Sequence, residues 1–299
     1  MIFWRIIDNR LHPVSEVQSL GFEESEGLRI PDEYLDKQEF MVMRTAHGLG
    51  DWVIISSMPR LLKEKYPNCK VYVPSVSLLE RLFGNIKDHW GTWENPFKTV
   101  NYVFDNNPYV DGVVDELDGE VFHDHYRVYN DNKLDIPLVR QMLKFWQFKD
   151  DEMKDYTPEL YWTEEERQRG DEIIHEAAGD SEFGCLLISD RFGTQLGKHH
   201  QETYDRDVQN FMNILTEHQL PYFYWTSKPI SETPFGWISK LLDMKHMDLR
   251  IQLYIKSKAK INLSNQCGTN QMMVRYSKCY ESQRQFPLAH NFVEGEIYL

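Results

Sequence analysis

The chain has 299 residues, 41% of them hydrophobic and 27% charged, which is too long for one small module and too apolar for disorder; one large or two compact domains are expected, without disulfide staples. Lys and Arg number 33 against 47 Asp and Glu, a net charge of -14, which opposes non-specific binding to nucleic acid or to an anionic membrane surface. The cysteines Cys69, Cys185, Cys267 and Cys279 form no CxxC pair and read as reduced thiols, no run of about 18 apolar residues occurs, and the start lacks a signal-peptide core, so a soluble cytoplasmic protein is expected, with no integral membrane segment and no nucleic-acid partner.

Residues 1–38 contain Pro13, Pro31 and the acidic run Glu23-Glu24-Ser25-Glu26 and carry no strong period. They read as an N-terminal extension packed on the first domain, with a hairpin as one form. From Glu39 the pattern changes: Phe40 to Arg44 is a buried strand entering the loop Thr45-Ala46-His47-Gly48-Leu49-Gly50, and Asp51 sits where a helix would start. Trp52, Ile55, Met58 and Leu62 fall on one helical face, with a kink expected at Pro59, and Lys70 to Pro74 is the next strand. Strand, loop, helix and strand make a right-handed βαβ unit and imply a parallel sheet. A helix near Val76 to Phe83, a strand at Val100 to Asp105, a turn at Asn106-Asn107-Pro108, a short strand at Gly112 to Val114 and a helix at Ile136 to Phe148 complete a first domain over 39–155. The charged stretch Lys149 to Asp155 reads as linker.

A second alternating set occupies 156–299. It comprises a charged amphipathic helix at Glu164 to Ala178, a strand at Cys185 to Ser189, a loop from Asp190 to His200, a helix near Val208 to Glu217 and a strand at Tyr222 to Trp225. A helix near Ile251 to Lys256, a strand at Ala259 to Leu263, and a loop at Ser264 to Gly268 opening a helix at Thr269 to Tyr276 follow. Two Rossmann-like halves in tandem result.

Gly48-Leu49-Gly50-Asp51 is the sharpest local feature, because glycines let a backbone turn tightly and let a ligand approach. Asp51 can serve there as an ordinary N-cap, or as a carboxylate at the sheet's carboxyl edge that takes a proton from a hydroxyl. Gly268-Thr269-Asn270 opens a helix whose free N–H groups favour an anionic pyrophosphate, although a plain capped helix has the same residues. Lys198, with Arg191 on the same loop, is a candidate point charge for a leaving diphosphate, and Ser227-Lys228 stands at the equivalent strand end. His123-Asp124-His125 has metal-ligand character without an evident third ligand, so no metal is expected.

Met43-Arg44 through Gly50-Asp51, then Pro59-Arg60-Leu61-Leu62, Tyr66-Pro67, Val71-Tyr72-Val73 and Asn107-Pro108-Tyr109-Val110-Asp111-Gly112-Val113 resemble the ADP-heptose:lipopolysaccharide heptosyltransferase family. In the second half Pro158-Glu159-Leu160 and Lys198 match more loosely. The resemblance implies an α/β, GT-B-like fold, with two Rossmann-like domains facing a central cleft: a first domain for the acceptor and a second for the nucleotide sugar. It implies inverting, metal-independent transfer from a nucleoside-diphosphate sugar donor to a saccharide or glycan acceptor, with Asp51 as base and no cofactor. His47, Gly48 and Gly50 would meet the acceptor, and Lys198, Arg191, Ser227, Lys228, Gln266, Gly268, Thr269 and Asn270 the donor. Gln266 stands where the family carries an acid, and Asn270-Gln271 where it carries a His. A different donor, a non-catalytic nucleotide- or carbohydrate-binding protein and a nucleotide-sugar epimerase of the same fold therefore stay open. An NAD-type dehydrogenase is disfavoured by the lack of GxGxxG in the first loop.

Overall fold

The computed structural model describes residues 2–7, 10–13, 39–43, 49–83, 96–115, 121–124, 143, 148–188, 201–226, 239–265, 268–282 and 295–299. Its contacts divide the chain into two units, whose described residues lie within Met1–Tyr161 and within Trp162–Pro287 and Gly295–Leu299.

In the first unit, β1 (Ile2–Ile7) and β2 (Arg10–Pro13) form the hairpin, antiparallel with Trp4 opposite Pro13. β3 (Glu39–Met41) leads to α1 (Leu49–Val53), a turn, and α2 (Met58–Lys65). The single kinked helix expected here is thus two helices. Ser56 Oγ donates to the Val53 carbonyl at 2.7 Å, and Pro59 lies in the first turn of α2, where its missing N–H has no helical acceptor to satisfy and its fixed φ favours a start. β4 (Lys70–Pro74), α3 (Val76–Phe83), α4 (Thr99–Phe104), β5 (Gly112–Val114) and β6 (Val121–Asp124) follow.

The strand expected at Val100 to Asp105 is the helix α4. Val100, Val103 and Phe104 are its buried residues together with Thr99, and a spacing of three and four buries one helical face where a strand would bury alternate residues. The helix expected at 136–148 falls mostly outside the described residues. β3, β4 and β5 make a parallel sheet in that order, and β6 pairs with β1 rather than with them, giving a small antiparallel sheet β2-β1-β6.

The stretch expected as linker is docked along α2. Lys65 pairs with Glu152 at 2.6 Å, Met153 is buried, and Arg60 donates through Nη2 to the Asp155 carbonyl at 2.7 Å. Ser57 Oγ donates to the Tyr156 carbonyl at 3.1 Å, and the Glu159 N–H donates to Ser56 Oγ at 3.0 Å. Arg60 Nε meets Glu159 at 2.8 Å. Within 149–155 the Glu152 charge is spent on Lys65, while Lys149, Asp150, Asp151 and Lys154 stay exposed, and the division between units falls beyond this stretch, between Tyr161 and Trp162.

The second unit opens with α5 (Glu164–Ala178), β7 (Gly184–Ile188), α6 (Gln201–His218) and β8 (Tyr222–Thr226). β9 (Lys240–Asp243), α7 (Leu249–Lys258), β10 (Ile261–Asn265), α8 (Gly268–Gln271), a 3-10 turn at Met272–Arg275, β11 (Lys278–Ser282) and β12 (Glu296–Tyr298) complete it. The six strands are parallel in the order β12-β11-β10-β7-β8-β9. β7 is buried along its whole length, as a central strand covered on both faces must be. Phe211, Met212 and Leu215 of α6 pack with Leu186, Tyr222 and Leu263 on one face. Ile173 of α5 and Ile255 of α7 pack with Cys185 and Phe223 on the other.

α5 begins in a capping box: Thr163 Oγ1 accepts from the Glu166 N–H at 3.0 Å and Glu166 accepts from the Thr163 N–H at 2.7 Å. Its neighbour α7 comes so close that a Cβ at Gly170 would overlap the Tyr254 ring. Among the described residues, no helix is long and apolar enough to cross a membrane.

Candidate functional site

Ligands of open parallel sheets bind beyond the carboxyl ends of the strands. In the first unit those ends are Met41 of β3, Pro74 of β4 and Val114 of β5. Gly50 and Asp51 lie in α1, which follows β3; the Gly50 carbonyl accepts from the Ile54 N–H at 3.2 Å. Trp52 and Val53, both fully buried, fix this helix, with the indole edge-on to Phe104 at 6.2 Å between ring centroids. Asp51 is the third residue of this helix, the first element after β3 in the chain. His47 and Gly48 fall outside the described residues.

The ends of the next two strands carry polar groups that the sequence reading did not single out. Ser75, beyond β4, accepts the Leu78 N–H at 3.0 Å and caps α3. Its Oγ lies 2.9 Å from that of Ser77, which donates to Asp115 at 2.9 Å, just beyond β5. Arg81, one turn further along α3, donates to the Asp115 carbonyl. Hydrogen bonds from Ser75 and Ser77 hold the Asp115 carboxyl below the usual carboxylate range. The signal for this cluster was the spacing Ser75-x-Ser77-x-x-x-Arg81 at a strand-to-helix junction, with Asp115 directly after the next strand.

In the second unit the carboxyl ends of β10 and β11 are polar and buried, at Ser264, Asn265, Glu281 and Ser282, and Asn265 is in register with Ser282. Ser264 Oγ donates to the Asn265 carbonyl at 3.0 Å. Glu281 and Ser282 escaped the sequence reading because β11 was not read as a strand, although Lys278 to Tyr280 has strand-forming character. Gly268 and Thr269 are half-buried in α8, whereas Asn270 is fully buried and donates from Nδ2 to the Tyr280 carbonyl at 3.3 Å. The helix expected at Thr269 to Tyr276 is four α-helical residues passing into a 3-10 turn, so few peptide dipoles align towards its start. Arg191, Lys198, Ser227, Lys228 and Gln266 fall outside the described residues. Ser227 follows directly on the end of β8, and Gln266 on the end of β10.

The motif residues in the first unit have structural work. Asn107 Oδ1 accepts from the Tyr109 N–H at 3.0 Å, making an Asx turn. Asp111 accepts from the Val71 N–H at 2.7 Å and pairs with Lys63 at 2.5 Å. Burial opposes its charge, but Lys63 and that N–H keep its carboxyl below the ordinary range. These bonds lock β5 to β4 at their amino ends, away from the ligand edge. Cys185 is likewise structural, burial pushing its thiol up to about 12.

No family model and no curated protein matches the chain. Among solved structures it is similar to a glycosyl transferase family 9 protein from Veillonella parvula DSM 2008, with TM-score 0.50 and 10% identity, covering 87% of this chain and 84% of that one. It is also similar to ADP-heptose lps heptosyltransferase II of E. coli, with TM-score 0.45 and 10% identity over 87% and 89% of the two chains. A third similarity is to E. coli heptosyltransferase WaaC with ADP-2-deoxy-2-fluoro heptose, with TM-score 0.44 and 8% identity over 87% and 92%. The likeness to the family 9 protein gives the fold, a GT-B-type pair of Rossmann-like α/β units.

Proposed function

We propose that this chain is a glycosyltransferase that moves a sugar from a nucleoside-diphosphate sugar to an acceptor hydroxyl, with inversion and without a metal ion. One observation supports the reading: in a chain with the family 9 fold, Asp51, directly preceded by Gly50, lies in the short helix that follows β3 in the chain. In this reading the first unit takes the acceptor, meeting it with His47, Gly48 and Gly50, and the second takes the donor. Gly268, Thr269 and Asn270 follow β10 on the donor side, with Arg191, Lys198, Ser227, Lys228 and Gln266 as further donor contacts.

The chemistry follows from those roles. The Asp51 carboxylate takes the proton of the acceptor hydroxyl as its oxygen bonds to the anomeric carbon. The bond from that carbon to the terminal phosphate oxygen breaks on the opposite face, and the nucleoside diphosphate leaves with the electron pair. Lys198 and Arg191 offset the charge that develops. A general base typically contributes 10² to 10⁴ fold, and stabilisation of leaving charge a comparable factor.

The first test is a thermal-shift panel of UDP, GDP, ADP, CDP and their sugars. A ligand at 100 times its Kd adds about 2.7 kcal/mol of stability, and a shift by one nucleoside diphosphate identifies the donor base. Asp51→Asn should then lower transfer by at least about 10² fold while leaving that shift intact. Full activity in this variant removes Asp51 from the reaction. A shift without turnover for any acceptor favours the non-catalytic binding protein, and conversion of the donor without acceptor favours an epimerase.

A further inference from the structure

In the second unit the chain steps outward from β7 to β8 and β9 and then returns to the other side of β7 for β10. That order puts the topological switch point, where an open parallel sheet takes its ligand, between the carboxyl ends of β7 and β10. The strands on the two sides of this point differ. On one side β10 and β11 end in Ser264-Asn265 and Glu281-Ser282. On the other, β8 carries four consecutive aromatic residues, Tyr222-Phe223-Tyr224-Trp225. Tyr222 and Tyr224 pack in the cluster under α6, and Phe223 in the cluster under α5 and α7. Trp225 shares its face of the strand with Phe223, yet it belongs to neither cluster and is half-buried. Among the described residues it forms no hydrogen bond and no ring contact. Its place is fixed by the register, opposite Leu187 and one residue short of the carboxyl ends of β7 and β8. Three of the four rings build the core, and the fourth stands at the ligand edge, one strand from the switch point.

Resting on the proposed donor role of this unit, we infer that Trp225 is the platform on which the nucleobase of the nucleoside-diphosphate sugar stacks. The two sides of the switch point match the two ends of such a molecule. A base is flat and carries a π-face, and stacking on an indole needs no match of charge or hydrogen bonds. The transferred sugar is rich in hydroxyls and suits the side whose strand ends carry hydroxyl, amide and carboxylate groups. The diphosphate between them falls at the switch point. Neighbouring strands lie about 4.8 Å apart, so Trp225 stands about the span of a ribose from the end of β7. The reverse orientation would set the base against the polar strand ends, where the hydrogen-bonding groups gain nothing from an apolar face.

The test is fluorine NMR on the full chain labelled with 5-fluorotryptophan, the Trp225 signal being identified by its loss in Trp225→Phe, with affinities from titration calorimetry. The ligands are UDP, GDP, ADP and CDP, with inorganic pyrophosphate, ribose 5-phosphate and methyl β-glucoside as probes that lack a base. The nucleoside diphosphate that binds should move the Trp225 signal through the ring current of its base, and the probes without a base should leave it in place. Trp225→Leu should weaken that nucleotide about tenfold, the size of one base–aromatic stack, and Trp225→Phe should weaken it less. Nucleotide binding that leaves the Trp225 signal unmoved, or that is unchanged in Trp225→Leu, overturns the stacking and leaves the transferase reading standing. A signal that moves with methyl β-glucoside and not with a nucleotide assigns the ring to a sugar and overturns the inference. No binding of any nucleoside diphosphate by the unsubstituted chain overturns the stacking and the donor reading together.

Discussion

Two arginines, one in each unit, occupy the same electrostatically unfavourable place and are accommodated differently. Arg60 lies in the first turn of α2 and Arg250 in the first turn of α7, where the positive end of a helix opposes a cation. Both are largely buried, with side chains 13% and 6% exposed, and both meet a glutamate near the division between units. Arg60 spreads its charge over Glu159, Glu64 and the Asp155 carbonyl. Burial opposes its protonated form, but the bonds to Glu159 and Glu64 raise the guanidinium further above its ordinary value. Arg250 instead sends Nε and Nη2 to the two oxygens of Glu166, a carboxylate already engaged in capping α5. The helix starts differ in the same way. The N-cap Ser57 of α2 makes no cap bond and gives its hydroxyl to Tyr156, whereas Asp248 caps α7 by accepting from the Arg250 N–H. The first unit draws on a remote segment, and the second on a local cap whose carboxylate also pairs with Arg250. Loss of Glu166 therefore removes a cap and a pair together, whereas loss of Glu159 removes no cap.

The sharpest way to break this contrast is Glu166→Ala. It removes the Glu166 carboxylate from Arg250 and half of the capping box at once, and should cost about 3 kcal/mol, read by urea unfolding. Glu159→Ala should cost less, about 2 kcal/mol, because Glu64 and the Asp155 carbonyl still face Arg60. Equal losses would show that the distributed arrangement gives no protection. Thr163→Ala and Ser57→Ala should each cost about 1 kcal/mol but in different places. Amide exchange should speed up in the first turn of α5 for the former and over Tyr156 to Tyr161 for the latter.

The smallest effect is on the acid limb. Burial opposes the Glu166 charge, yet Arg250 and the Thr163 N–H hold its carboxyl below the usual glutamate range. A depressed folded value adds stability above the unfolded value, about 4.3, that is lost as the pH falls through the folded one. Between about pH 4.5 and pH 3 the Tm of the unsubstituted chain should therefore fall more steeply than that of Glu166→Gln.

These contrasts also explain what could be read from the residues alone. Helix α5 was legible end to end because Thr163-x-x-Glu166 announces its start and Gly179 its stop. β5 was legible from three apolar-compatible residues before Asp115. Helix α4 was not, since Val100, Val103 and Phe104 lie in a run too short to separate a period of two from one of 3.6 without its tertiary partners. Strands β9, β11 and β12 sit at or next to the margins of the second sheet and lack long apolar runs. The order Asn107 to Asp111 was noticed as motif, but only the geometry shows that it sets strand register. Asp51 was found through its glycines. Ser75, Ser77 and Asp115 were missed because each is an unremarkable polar residue until two strands bring them together.

The same docking decides what a protease would make of this chain. Residues 149–155 have the charged composition of a favoured cleavage region, and a cut there would ordinarily be expected to release two pieces. Here the residues on both sides of such a nick are moored to one helix, Phe148 beneath Lys65 at 4.9 Å and Tyr156 and Glu159 on Ser57 and Arg60. A chain nicked in this stretch should show two bands under denaturing conditions and migrate as one species under native ones.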